Sequence, residues 1–339
     1  DNKYVLAEIV PFGYKVIADS EFSCKEEKTD KVKCVENNFY RLVFADNGAI
    51  TSIYDKELGR ELLDNSNYGA NEIVYTSDNH VSFSSVEKAE IEAIYNEYKI
   101  TVNIKSVHKE IGCDIVQVIT LPSYEKRIDI ENYIYHAKDM VNKDRYKRYI
   151  YFAFPFMVEN ARRLCHLNGK VAEYAKDVTG HGTDVYMAAR EWALAENNDF
   201  GVALLMKDSQ LVEFDHIHPD KTDFGNTGDG SQMFVYAAND WLQMHVSGGT
   251  HLNYKFRFSI TSYEGSYNKS HLLKMTERYI TPVSTVPVKV QKGCFKETEK
   301  SFLETNTYAR LLCLKKADDS KGVIARFYGA DGEISISEI

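Results

Sequence analysis

The chain has 339 residues, 44% of them hydrophobic, and a formal net charge of −9 at pH 7. That length buries a substantial core and sets a soft prior of about two domains. The acidic balance, with no clustered run of Lys and Arg, argues against nucleic acid or an anionic membrane surface as partner, and no apolar run approaches the roughly 20 residues that span a bilayer.

Taken in chain order, residues 4–19 (YVLAEIVPFGYKVIAD) form two extended runs around Pro11 and Gly13. Pro11 lacks a ladder donor, so pairing there is at an edge or interrupted. Residues 26–33 are charged and read as a weakly structured linker. Two alternating strands follow, 39–45 and 49–54, joined across Asp46-Asn47-Gly48, where the Asn-Gly pair takes the positive φ of a tight hairpin turn. A polar turn through Asp55, Lys56, Glu57, Gly59, Arg60 and Glu61 leads to a strand at 73–76.

Further strands are expected at 81–85, 89–95, 97–108, 111–121, 127–136, 149–158, 186–196, 201–206, 211–214, 232–238 and 253–261. The alternation is plainest where Tyr98, Ile100, Val102 and Ile104 face one way and Lys99, Thr101, Asn103 and Lys105 the other. With 23 Tyr, 17 Phe, only 6 Pro and few stretches of 3.6-residue apolar period, the chain reads as packed antiparallel sheets. After Pro282 the character changes, and residues 301–339 hold two strands around the polar loop 317–322.

The six cysteines, Cys24, Cys34, Cys113, Cys165, Cys294 and Cys313, contain no CxxC pair. In a chain of this length that is the ordinary pattern of reduced thiols, favouring a cytoplasmic location. The chain opens on Asp1 without a Met or a signal sequence and reads as cut from something longer, or processed.

Several ordered segments carry a resemblance. In VENNFYRLVFADNGAITSIYDKELGRELLD, the residues Glu36, Asn37, Phe39, Tyr40, Arg41, Gly48, Ile50, Ser52, Ile53, Asp55, Lys56, Arg60, Glu61 and Leu62 match the opening of the large C-terminal β-domain of the glycoside hydrolase family 38 α-mannosidases. Val10, Pro11, Gly13, Tyr14 and Lys15 resemble the end of the small sandwich before it. The segment 127–156, then Glu191-Trp192 with Gly201-Val202-Ala203-Leu204, then Asn239-Asp240-Trp241, Gly248-Gly249 and Phe256-Arg257-Phe258 resemble later stretches, with Phe258 in place of Tyr. Lys315, Lys316, Ala317, Asp319, Lys321, Gly322, Arg326 and Tyr328 resemble the small final β-domain, with Asp318 for Glu and Ser320 for Gly.

The resemblance implies an all-β fold: a large galactose-mutarotase-like sandwich at 34–285, preceded by the end of a small β-domain and a linker at 1–33 and followed by a small C-terminal β-domain at 286–339. It implies a retaining, zinc-dependent hydrolase of α-mannosides when complete. The zinc ligands, His and Asp, and the Asp nucleophile lie chiefly in an N-terminal α/β barrel. No βα-alternating stretch of that kind occurs in these residues, so the expectation is no catalytic residue in this chain, with the catalytic domain of the same polypeptide and a mannose-containing glycan as partners.

Three clusters have suitable chemistry of their own. In Asp215-His216-Ile217-His218-Pro219-Asp220, a strand would put His216 and His218 on one face with Asp220 as an oxygen ligand for a metal; the other reading is a polar surface loop. His181 and Asp184, in Gly180-His181-Gly182-Thr183-Asp184, suit ligand or interdomain contact or an ordinary connection. Asn239, Asp240, Trp241 and Arg257 suit sugar stacking and hydrogen bonding, or a core Trp and an ion-paired Arg. Two rival functions share the fold: a self-standing aldose epimerase or polysaccharide lyase, needing a His, a carboxylate and an Arg at a common point, and a simple carbohydrate-binding module with an exposed aromatic platform.

Overall fold

The structure, a computed structural model, describes residues 3–10, 12–23, 25–77, 80–82, 86–109, 112–135, 149–167, 169–177, 185–218, 228–239, 253–289, 293, 295, 297–303 and 309–329. It divides into two compact units, residues 26–267 and residues 1–25 together with 268–339.

In the larger unit a ten-stranded antiparallel sheet runs, in spatial order, Val171–Glu173, Arg162–His166, Trp192–Glu196, Phe200–Met206, Tyr254–Glu264, Ile128–Tyr135, Cys113–Pro122, Lys99–His108, Glu90–Tyr95 and Glu27–Asp30. A six-stranded sheet runs Met187–Ala188, Leu211–Phe214, Met233–Asn239, Tyr149–Phe154, Glu72–Ser77 and His80–Ser82. One buried cluster joins Ile73, Phe152, Phe154, Phe214 and Val235 of the six-stranded sheet to Val102, Ile119, Ile130, Leu204 and Phe258 of the ten-stranded one. The rings of Phe152 and Phe154 each lie 5.2 Å from that of Phe258. The sheets therefore pack face to face, as the all-β sandwich reading requires.

The sequence pattern explains which strand sits where. Ile128–Tyr135 alternates buried and half-buried residues, so one face is core and the other is not. Tyr149–Phe154 is buried at every position. Its even-numbered residues Ile150, Phe152 and Phe154 join the main core, while Tyr149, Tyr151 and Ala153 join a second cluster with Val74, Ile217 and Phe234 on the sheet's other face.

A four-stranded sheet, Cys34–Glu36, Tyr40–Phe44, Ile50–Asp55 and Arg60–Glu61, contributes Tyr40, Leu42, Ile50 and Ile53 to the main core. Its hairpin differs from the expected turn in one respect. Gly48 alone takes a left-handed φ, +91°, and Asn47 instead accepts the Ala49 N–H through its side chain at 3.1 Å. A Cβ at Gly48 would stand 2.6 Å from the Cγ2 of Ile104.

Three other differences have physical causes. Residues 186–196, expected as one strand, are two strands in different sheets, Met187–Ala188 and Trp192–Glu196. Between them the Arg190 N–H leaves both ladders to bond the His166 carbonyl at 2.7 Å. The charged stretch 26–33 contains the edge strand Glu27–Asp30, whose exposed side chains suit an edge. Arg162–His166 and Val171–Glu173 were unforeseen, being short and preceded by polar residues.

In the smaller unit, Gly13–Lys15 pairs with Glu299–Ser301. Gly13 sits where a Cβ would meet the Lys300 carbonyl oxygen at 2.0 Å, so the close strand approach needs glycine. Ala309–Lys316 and Val323–Gly329 form a hairpin around the polar loop. The unit also holds a helix, Lys269–Ile280, which the periodicity did not reveal because its apolar stripe is only three turns long. Asn268 caps it, accepting the His271 N–H at 2.9 Å. Among the described residues no helix is long and apolar enough to cross a membrane.

Candidate functional site

The polar residues that carry the resemblance are engaged in holding the fold. The Asn37 side-chain oxygen accepts the N–H groups of Phe39 and Tyr40, and its amide donates to the Pro122 carbonyl. Glu61 accepts N–H bonds from Ile53, Leu62 and Leu63 and the Ser52 hydroxyl. Arg60 pairs with Asp199 at 2.6 Å and covers the Phe200 ring.

Asp55, fully buried, accepts the N–H groups of Glu57 and Leu58 and the Ser262 hydroxyl, and pairs with Lys126 at 2.9 Å. Tyr40 completes that cluster through Ser262 at 2.8 Å, and burial raises its phenol well above the ordinary range. The chemistry of this segment is structural.

The densest polar chemistry lies on the other face of the six-stranded sheet. Glu213, completely buried, accepts the Tyr151 hydroxyl at 2.6 Å and the His218 N–H at 2.8 Å, with the His218 ring nitrogen Nδ1 3.2 Å away. Burial foremost, then the Glu213 charge, pushes the Tyr151 phenol well above its usual value. His216 lies with its ring 4.2 Å from that of His218 and its Nδ1 2.6 Å from Asp215.

Asp215 takes a left-handed φ of +71° and accepts the Gly230 N–H at 2.7 Å. A Cβ at Gly228 or Gly230 would strike its carboxyl group. Glu213 and Tyr151 were not singled out from sequence. The signal was a lone carboxylate inside the apolar strand Leu-Val-Glu-Phe.

The structure brings His216 and His218 side by side, but each Nδ1 faces its own carboxylate, and among the described residues no three His, Cys, Asp or Glu side chains are grouped to hold a metal. Asp220 lies outside the described residues, as do His181, Asp184, Asp240 and Trp241. Asn239 ends the strand Met233–Asn239. Arg257 forms a bidentate pair with Asp208 at 2.6 and 2.7 Å.

A thiol and an imidazole also face each other across two strands, Cys113 opposite His108. Burial pushes the thiol up to about 11 and the imidazole down to about 4. The pair is neutral at pH 7 and no nucleophile.

These features define an all-β sandwich scaffold whose recognisable motif is consumed by packing and hydrogen bonds. The chain belongs to the glycosyl hydrolases of family 38: the family's C-terminal domain matches residues 35–214. Its fold is similar to that of a protein in glycosyl hydrolase family 38 from Enterococcus faecalis, with 12% identity and a TM-score of 0.64 over 90% of this chain and 39% of that one. It is similar as well to an alpha-mannosidase from Enterococcus faecalis V583, with 12% identity and a TM-score of 0.57 over 90% and 37%.

A putative aldose 1-epimerase from Escherichia coli K12 aligns with 9% identity and a TM-score of 0.41 over 70% of this chain and 100% of that one. No curated protein matches by sequence. The chain spans less than two-fifths of the length of the two Enterococcus structures.

Proposed function

We propose that the chain is the C-terminal β-region of an α-mannosidase-type glycoside hydrolase, which packs against a catalytic domain of the same polypeptide and shapes the cleft that receives an α-mannoside. The family match over residues 35–214 carries this reading. The alignment with less than two-fifths of each Enterococcus chain supports it, leaving room in such polypeptides for a separate catalytic part.

Retaining hydrolysis needs a carboxylate nucleophile and an acid on opposite sides of the glycosidic bond. Among the described residues no three His, Cys, Asp or Glu side chains are grouped to hold a metal. In this reading zinc and the nucleophile are held outside the described residues. The test is hydrolysis of an aryl α-mannoside in the presence of zinc, by the 339-residue chain and by a longer polypeptide extended toward the N-terminus. Turnover by the longer polypeptide alone supports the reading; turnover by the short chain sinks it and makes Glu213 and His218 the first residues to substitute.

A further inference from the structure

Exposed apolar side chains are unevenly shared between the two units. Among the described residues fifteen large hydrophobic side chains are exposed, and twelve of them belong to the smaller unit, which holds less than a third of the chain. The larger unit exposes only Val107, Tyr124 and Met157 among its described residues. Single exposed apolar residues are ordinary, but a contiguous group of them marks a surface that something covers.

A contiguous group lies on the ribbon made by Gly13–Lys15 and Glu299–Ser301. Its register sets Tyr14 opposite Lys300, and the Val16 N–H extends the ladder to the Thr298 carbonyl at 2.7 Å. Side chains alternate along a strand, so Tyr14, Val16, Lys300 and Phe302 share one face while Gly13, Lys15, Glu299 and Ser301 share the other. That other face is small and charged, with Lys15 3.6 Å from Glu299. On the first face the Tyr14 ring lies 6.1 Å from the rings of Phe295 and Phe302, which are 5.7 Å from each other. Val16, Phe295 and Phe302 are nevertheless 50, 49 and 59% exposed.

Such a ribbon needs a cover. Two strands alone are marginal in water, and among the described residues neither strand of the ribbon pairs with a third. The rings themselves disfavour a sugar as that cover. A sugar stacks on an aromatic face laid flat and is held by hydrogen bonds at its rim, whereas these planes are inclined at 39, 40 and 64° to one another. Phe carries no polar atom, and the Lys300 ammonium already lies 4.6 Å over the Phe295 ring. Tilted rings interdigitate with apolar side chains, as in the core of a protein interface.

The proposed place of this chain in a longer polypeptide supplies the occupant, and the inference rests on it. The two Enterococcus chains carry more than three-fifths of their length outside the aligned part, so a polypeptide of that size has much further chain to pack. We infer that the part of the same polypeptide preceding these residues packs on the aromatic face of the ribbon, with Tyr14, Phe295 and Phe302 as its anchors.

The test is hydroxyl-radical footprinting of the 339-residue chain and of the longer polypeptide, both wild type, read residue by residue by peptide mass spectrometry. Side-chain oxidation follows exposure, and Tyr124, 54% exposed in the larger unit, is the reference. We expect Phe295 and Phe302 to be oxidised about fivefold more slowly in the longer polypeptide, as half-exposed rings pass into the buried core of an interface. Unchanged oxidation overturns the assignment. So does protection already present in the short chain when sedimentation shows a dimer, since a second copy is then the occupant. Protection of the short chain by methyl α-D-mannopyranoside overturns it as well, in favour of a sugar. Mannoside turnover by a longer polypeptide whose rings stay reactive sinks this inference alone, whereas protected rings without turnover sink only the catalytic reading.

Discussion

Replacing Asp55 by Ala tests whether the family's most recognisable segment is scaffold. The carboxylate is fully buried and serves two backbone N–H groups, those of Glu57 and Leu58 at 2.9 and 3.0 Å, besides the Ser262 hydroxyl and Lys126. Each orphaned N–H costs about 1–3 kcal/mol, nearer the lower figure at a turn where the Glu57 side chain is 55% exposed. Breaking a buried ion pair costs about 3–5 kcal/mol when the remaining charge is stranded. Here Lys126 is 16% exposed and keeps Glu57 at 2.9 Å, so that contribution falls well below the range.

The sum is about 3 kcal/mol, a drop of roughly 6–12 °C in Tm for a unit of this size. The assay is urea unfolding of wild type, Asp55→Ala and Asp55→Asn followed by circular dichroism. The Asn variant keeps an acceptor for the two N–H groups and is expected to lose about 1–2 kcal/mol. A loss below about 1 kcal/mol for Ala would refute the reasoning, and equal losses in both variants would show that charge, not the turn's hydrogen bonds, carries the stability.

Three further outcomes follow from particular groups. Gly48→Ala forces a Cβ to 2.6 Å from Ile104 and an Ala to φ +91°; a loss of about 1–3 kcal/mol in the same urea assay is expected. His108 has its pKa lowered to about 4 by burial. The unfolded chain, with a pKa near the ordinary value of 6.5, binds the proton more readily, so this contribution is complete above about pH 6.5 and is lost as pH falls toward 4.

On the order of 3 kcal/mol of stability is then lost between pH 7 and pH 4 in wild type relative to His108→Leu, and parallel pH profiles for the two proteins would contradict it. Cys34 is exposed, whereas Cys113 and Cys165 are buried with thiols pushed up by burial. A thiol reagent is expected to label Cys34 in the native protein and the other two only after unfolding, as peptide mapping would report.

What the sequence determined by itself was local: the alternation that makes Lys99–His108 a strand, the Gly48 turn, the polar loop of the last hairpin, and an ordered motif specific enough to place the family. These signals survive in one dimension because they arise between neighbours a few residues apart. The sequence did not show that the motif's polar side chains are spent on the fold, because their partners are remote: Asn37 reaches Pro122, Asp55 reaches Ser262, and Arg60 reaches Asp199.

Nor did it show which carboxylates would be buried together with a histidine. Glu213 and Tyr151 stand 62 positions apart and meet only because Leu211–Phe214 and Tyr149–Phe154 flank the same strand, Met233–Asn239. A buried amide network is more remote still, assembled from Asn71, Gln117 and Asn132 on separate strands and turns. Strand pairing decides such meetings, since residues distant in the chain become neighbours only once register has set which side chains share a face.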